Sequence, residues 1–354
     1  MKEVKIFILR YLGWRNWSVL EYNSIIENLF IVFYIGFSRE IDASHFIKNI
    51  IVFVLFSVSS TTYGYLVNDL ADMELDAFQG KSNTFHGDSS RKAIVVVLFF
   101  AVLSILAGLN FTGNVIFVIF WLAWSLSATF YSLKPFRLKE RGKTGLIIVV
   151  LAQRVLPILL LFAAFKFSAW IEVAVFTVYV LFRGLSSDLN HQLEDYENDA
   201  GTKTQTYAVT AGKERSRKLL RTSLEIEKIL LLLVLALIYS SRQLPSFKGI
   251  SAALPILVFY LALYVYSLLK GMKLTLEEIN PFVSEKKHVF QFMHHGFPSV
   301  VLPLYMVLIL TSLYWQFVVI LVLLAAYRRL YSLQMILNSY PARLLKRIAP
   351  RRTL

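Results

Sequence analysis

Ten apolar runs in this chain are about as long as a lipid bilayer is thick, and nothing else in the sequence limits its fold so strongly. A helix needs roughly 20 apolar residues to cross hydrocarbon. Such runs lie near 19–37, 46–67, 93–110, 114–133, 145–166, 169–187, 224–241, 250–270, 296–312 and 315–335. Lipid offers no water to backbone N–H and C=O groups, so the runs must close their hydrogen bonds within themselves, as helices. The last two runs lie close together and count as two spans or as one broken span plus an interfacial helix. The expectation is an all-α integral membrane protein of nine or ten transmembrane helices. Within the first run stand Glu21, Asn23, Glu27 and Asn28; polar groups in a span face the bundle or a wet cavity.

Composition supports this class. Hydrophobic residues make up 56% and charged residues only 17%, against about 25% charged in soluble domains. Disorder is excluded, and a soluble enzyme is disfavoured. The chain has no cysteine, which removes disulfides, thiolate metal sites, iron–sulfur clusters and cysteine nucleophiles. The whole chain, 1–354, reads as a single polytopic membrane domain. Residues 1–18 read as an interfacial segment, with Trp14 and Trp17 at headgroup depth, and 336–354 as a basic tail. Lys2, Lys5, Arg10 and Arg15 interrupt the first apolar residues, so no clean signal peptide is present.

The net charge of +14 would suit a nucleic-acid binder if the cations shared one wet face. They sit instead in short loops between spans, so no nucleic-acid partner is expected. Of 37 Lys and Arg, 29 fall in alternate loops on one side and 5 on the other, while Arg154, Arg183 and Lys228 lie within spans. Basic residues stay on the cytoplasmic side. The N-terminus and the loops 77–92, 134–143 and 188–222 are therefore expected in the cytoplasm.

Two acidic clusters occur at that side, each at the end of an apolar run. The first is Asn68, Asp69, Asp72 and Asp76. At 100° per residue, Asp72, Asp76 and Asp69 fall within about 100° of Asn68. The second is Asp188, His191, Gln192, Asp195 and Asp199, again one helical stripe within about 60° of Asp188. Carboxylates stacked on one face repel and call for a bound cation. An all-oxygen set suits a hard ion, and Mg²⁺ binds through carboxylates plus substrate phosphates. Two ions are expected, with Asn68, Asp69, Asp72, Asp76, Asp188, Asp195 and Asp199 as ligands. A diphosphate would add negative charge, and Lys81, Lys203 and the basic segment 134–143 supply the opposite sign. His294 and His295, adjacent and hence about 100° apart on a helix, suit an interfacial role better than a metal site. Trp170 and Trp315 read as interface anchors, and Trp121 and Trp124 as packing or tunnel lining.

Asn68-Asp69-x-x-Asp72-x-x-x-Asp76 and Asp195-x-x-x-Asp199 resemble the two Asp-rich motifs of the UbiA-type intramembrane prenyltransferases. The segments Tyr131-Ser132-Leu133-Lys134-Pro135 and Gly201-Thr202-Lys203-Thr204 look like that family too. The resemblance runs from about residue 20 to 310. It implies nine transmembrane helices around a central apolar cavity, capped by cytoplasmic Asp-rich loops. It implies Mg²⁺-dependent ionisation of an isoprenyl diphosphate and transfer of the prenyl group to a lipophilic or aromatic acceptor. Asp72, Asp76, Asp195 and Asp199 would then be catalytic, and Lys81, Tyr131, Lys134, Arg137, His191, Gln192 and Lys203 would bind substrate. The chain departs from the family pattern after Asp76, at Ala200 and at His191-Gln192, which leaves the acceptor open. A terpene cyclase of the same fold, phosphoribosyl transfer to a polyprenyl phosphate, and a cation transporter are the alternatives. Transporter ligands sit near mid-membrane, whereas these acids stand at span ends.

The charge asymmetry makes a direct prediction. With no native cysteine, a cysteine placed at Ser89 or Lys213 should resist impermeant thiol reagents in intact cells and react once the membrane is opened. Labelling from the outer face would overturn the orientation.

Overall fold

The apolar runs do form helices, and the helix lengths decide where the polar residues land. The computed structural model describes residues 2–12, 19, 23–78, 80–202, 204–241, 243–283, 288–330, 332, 336–337 and 339–343. In chain order the helices are α1 (Lys2–Tyr11), α2 (Ser24–Glu27), α3 (Phe30–Ser38), α4 (Ala43–Phe78), α5 (Ser90–Gly108), α6 (Val115–Ser132), α7 (Gly142–Val150), α8 (Leu156–Ala164) and α9 (Trp170–Glu194). Then follow α10 (Tyr196–Gly201), α11 (Tyr207–Ala211), α12 (Lys213–Tyr239), α13 (Leu254–Gly271), α14 (Leu276–Ile279), α15 (Val289–Gln291), α16 (Leu302–Leu313) and α17 (Val318–Tyr327). A π-helical turn, Leu151–Val155, joins α7 to α8, and a longer π segment, Phe292–Val301, joins α15 to α16. The strands described are a short hairpin, Ser246–Phe247 against Ile250–Ser251.

Among the described residues, seven helices are long and apolar enough to cross a membrane: α4, α5 with its 3₁₀ extension, α6, α7–α8, α9, α13 and α15–α16. This is an all-α, multi-pass membrane fold. The first expected span, 19–37, is broken between α2 and α3. Its polar residues have tertiary tasks. Asn23 caps α2 by accepting from the Ile25 and Ile26 amides, and it also accepts from Ser57 and donates to Thr61 on α4. The expected 224–241 span belongs to α12, which starts earlier, at Lys213. The last expected span, 315–335, is shorter than predicted: its apolar helix ends at Tyr327. Trp170 and Trp315 are exposed at helix starts, as interface anchors are. Trp14 and Trp17 lie outside the described residues.

The packing forms two compact units, one of residues 1–27 with 48–231 and one of 28–47 with 232–354. In the first, α1 docks through Arg10, which donates to the Thr84 carbonyl and pairs with Asp88 at 2.5 Å. Tyr11, Leu66, Val67, Phe85, Ala93 and Phe100 bury together beside this pair. Phe56, Phe117 and Trp121 form an aromatic cluster. Gly108 lets α5 approach it, since a Cβ there would lie 2.8 Å from Trp121. In the π turn, the Leu156 amide reaches back to Leu151, and the Ala152 carbonyl accepts from Trp124 Nε1 at 2.9 Å. Trp124 is thus a packing residue with its one donor satisfied.

In the second unit, α3 packs on α16. Gly36 lies against Phe46 and Leu310, and the Phe37 carbonyl accepts from Ser241 at 2.7 Å. The His294 and His295 rings meet edge-on, 4.4 Å apart, and both touch Phe282.

Two helices place the acidic clusters. The 36 residues of α4 and 25 of α9 span about 54 and 38 Å at 1.5 Å per residue. A hydrocarbon core is about 30 Å thick. Their motif-bearing ends therefore reach beyond the apolar zone.

Candidate active site

The site lies within the first unit and begins with the last three turns of α4. Asp69 is fully buried and accepts from the Thr84 amide at 3.1 Å. Asn83 donates both to the Asp69 carbonyl and to Asp76 Oδ2, each at 2.8 Å. These bonds fold the 80–89 loop back on its own helix. Gly80, at φ +66°, makes the turn, a conformation that glycine adopts without a Cβ clash. Asn68 and Asp72 face elsewhere. Asn68 Oδ1 accepts from Ser132 at 2.9 Å and from Lys139 Nζ at 3.0 Å. Asp72 pairs with Arg137 at 3.0 Å and with Lys139. The acidic stripe predicted from the sequence therefore divides: Asp69 and Asp76 anchor their own loop, while Asn68 and Asp72 meet a second loop.

That loop runs from the end of α6 to the start of α7. Arg137 is held at φ +38°, a left-handed conformation uncommon outside glycine. Its guanidinium bridges Asp72 and Glu140. Burial disfavours the charge on Arg137, but Glu140 and Asp72 outweigh it and raise its pKa. For Lys139 burial prevails and lowers the pKa against the pull of Asp72. The loop can press on α7 because residue 145 is glycine: a Cβ there would sit 2.7 Å from the Leu138 carbonyl and 2.9 Å from that of Lys139.

The second acidic cluster spans a bend. Helix α9 ends at Glu194 and α10 starts at Tyr196. The Asp195 amide still bonds the His191 carbonyl, and the Asp199 amide that of Asp195, so the helical register passes through the bend. His191 Nε2 lies 3.7 Å from Asp195 Oδ2. Gln192 accepts from the Ala208 amide at 3.2 Å, a bond that seats α11. Asp188 Oδ2 is buried and has no hydrogen-bond donor among the described residues. Asp199 has its pKa raised, first by burial and then by Asp195, with Lys81 pulling the other way.

Electrostatic reach brings the clusters together. Asp188, Asp72 and Asp199 all act on Tyr131, and Lys81 acts on Asp199. The Gly142 amide donates to the Gln205 carbonyl at 2.7 Å, tying the basic loop to the segment after the second motif. Among the described residues, no three His, Asp or Glu side chains gather closely enough to ligate one ion by themselves. Lys134 is exposed, and the lysine that meets Asn68 and Asp72 is Lys139. Lys203 lies outside the described residues.

In the sequence Lys139 is one of five cations in segment 134–143, with no periodicity to single it out. Asn83 carried no signal at all. Glu27, Arg154 and Arg183 did carry one, as charges inside apolar runs.

The sequence profile of the UbiA prenyltransferase family matches residues 29–276. No curated protein sequence matches the chain. Among solved structures, a UbiA homologue from Archaeoglobus fulgidus bound to GPP and Mg²⁺ superposes with a TM-score of 0.56 at 18% identity, covering 86% of this chain and 99% of that one. The same homologue bound to DMAPP and Mg²⁺ gives 0.55 at 18% identity, over 86% and 98%. A structure from work on digeranylgeranylglyceryl phosphate synthase in membranes gives 0.51 at 16% identity, over 86% and 98%. At these identities the likeness concerns the fold alone.

The contact at Gly145 yields a test. Gly145→Ala should push back the 138–139 backbone and cost about 1–3 kcal/mol, as overpacking does, lowering the melting temperature of the purified protein. An unchanged melting temperature would show that the loop does not rest on α7.

Proposed function

We propose, from the premise that this chain belongs to the UbiA prenyltransferase family, that it is a Mg²⁺-dependent enzyme that ionises an isoprenyl diphosphate and transfers the prenyl group to a lipophilic or aromatic acceptor. The observation that carries this reading is the basic loop after α6, which pairs through Arg137 and Lys139 with Asp72 of the first acidic cluster and is tied by the Gly142 amide to the Gln205 carbonyl just after the second, at the ends of two membrane-spanning helices. The A. fulgidus homologue bound to GPP or DMAPP with Mg²⁺ supports it.

The donor set fits a hard cation. It is all oxygen, and Asp188 carries a buried oxygen without a hydrogen-bond donor. Asn68, Asp72, Asp76, Asp188, Asp195 and Asp199 would hold two Mg²⁺ ions, and Asp69, occupied with its loop, would support them. Mg²⁺ held there would supply charge neutralisation as the carbon–oxygen bond of a diphosphate breaks. The chain's own cations act on the same charge. Arg137, Lys139 and Lys81 border the acidic residues and would orient the diphosphate. Their attraction strengthens as the leaving group gains charge, so they favour the transition state over the ground state. Arg137 offers a planar fork and Lys139 a compact charge. The allylic cation left behind must be kept from water, which apolar helix faces exclude. The prenyl tail already dissolves in lipid, so substrate enters from the bilayer. Tyr131, at the end of α6 and within electrostatic range of Asp72, Asp188 and Asp199, would border the reacting carbon. His191 and Lys203 are further substrate contacts in this reading, while Gln192 orders α11. The site opens to the cytoplasm by the charge asymmetry of the loops.

The experiment is turnover of GPP by purified protein in detergent or liposomes, with products identified by mass spectrometry. Diphosphate release should require Mg²⁺ and stop in excess chelator; release that persists would sink the reading. Asp72→Ala or Asp199→Ala should lower the rate at least roughly 100-fold, the scale of losing one transition-state contact. A cyclic hydrocarbon or alcohol formed without acceptor would mark a cyclase.

The two lysines of the basic loop separate substrate binding from topology. Lys139→Ala should reduce turnover by roughly 10-fold or more, whereas Lys134→Ala, at an exposed position, should leave it near wild type. Equal effects in both variants would make the loop a charge anchor rather than part of the site.

A further inference from the structure

Four charged side chains lie within the apolar interior of the first unit: Glu27, Arg154, Arg183 and Glu227, none more than 7% exposed. Arg154 pairs with Glu27. Arg183 lies 3.7 Å from Glu27 and 3.5 Å from Glu227, and Ser186 donates to Glu227 at 3.3 Å. The formal charges cancel, yet each costs several kcal/mol to desolvate. Apolar side chains would hold these helices together without that cost.

The position of Arg154 indicates what the arrangement does. The residue sits in the π turn Leu151–Val155, a local widening frequent at functional sites. Its stem lies flat on α9 at Gly184, where a Cβ would come within 2.4 Å of Arg154 Cγ. Asp188 is one turn further on the same face of α9. It carries the buried oxygen without a donor, and Arg154 and Asp188 act on each other electrostatically.

We infer that Arg154 is a positioning residue for the acidic site: through Asp188 it sets how tightly the second acidic cluster holds a divalent cation, and Glu27 is the counter-charge that moderates it. The inference rests on the proposed function, because it gives Asp188 a role only if the acidic residues bind a cation. A positive neighbour weakens a carboxylate's hold on another cation. Removing Arg154 should therefore tighten divalent binding, and removing Glu27 should weaken it by leaving the guanidinium less compensated. A purely structural network has no reason to produce opposite signs.

The test is binding of Mn²⁺ alone to the purified full-length protein, followed by electron paramagnetic resonance, with GPP turnover measured beside it. Arg154→Met should lower the Mn²⁺ dissociation constant about fivefold and Glu27→Gln should raise it about as much, the scale of one partly screened charge. Arg154→Lys should stay near wild type. Asp188→Asn should erase the difference made by Arg154→Met, as coupled residues do in a double-mutant cycle. If Arg154→Met does not accumulate, Glu27→Gln compared with Glu27→Gln/Asp188→Asn tests the same coupling: the weakening made by Glu27→Gln should vanish once Asp188 is neutral. Unchanged Mn²⁺ affinity in these variants, or shifts of the same sign in both single variants, would overturn the inference while wild-type binding and turnover left the proposed function standing. A wild type that turned over GPP but bound no Mn²⁺ would overturn the inference alone, and turnover that persisted in excess chelator would overturn both.

Discussion

A charge carried into an apolar bundle must meet an opposite charge or cost several kcal/mol, and this requirement pairs several of the charged side chains buried among the described residues. Arg154 answers Glu27, Arg183 answers Glu27 and Glu227, and Arg137 and Lys139 answer Asp72. Even α1 is fastened this way, by Arg10 on Asp88. Each pair joins elements far apart in sequence. The loop after α6 is drawn onto the end of α4 because Asp72 attracts it. Helix α2, the π turn, α9 and α12 meet around four charges. The ion pairs thus tie together helices that are distant in the sequence.

Those encounters need backbones to come close, and small residues and irregular turns permit it. Gly145 admits the carbonyls of the basic loop, and Gly184 admits the stem of Arg154. The π turn swings Arg154 into place, and Trp124 takes up the Ala152 carbonyl there. A helix interior disfavours glycine by about 1 kcal/mol relative to alanine. Here the cost is offset by approaches that place charge beside the acidic residues.

The chemistry follows from the same balance. Acidic residues at the ends of long helices can gather cations, and a cationic loop across from them can receive an anion. In the proposed reaction divalent ions would meet the acidic residues, and the diphosphate they carry would take up the cationic loop that now pairs with Asp72. In the proposed reaction the apolar helix faces would supply what the cations cannot, a place without water in which an allylic cation survives.

Much of this was legible in the sequence. Span-length apolar runs determine a helical membrane fold, because lipid leaves the backbone no other way to satisfy its hydrogen bonds. The Asp spacing determines that Asn68, Asp72 and Asp76 share one helix face, because the helical repeat is local geometry. Tertiary structure alone decided the rest. Lys139 rather than Lys134 meets Asp72, because the left-handed turn at Arg137 and the bare surface of Gly145 set which lysine points inward. Asp69 faces the 80–89 loop although it shares the stripe with Asp72, because Thr84 and Asn83 return to it. The first apolar run breaks between α2 and α3, and Glu27 finds an arginine 127 residues away. Hydropathy and periodicity describe a residue relative to its own helix. Which charge becomes its partner depends on how the helices pack, and that is a property of the whole fold.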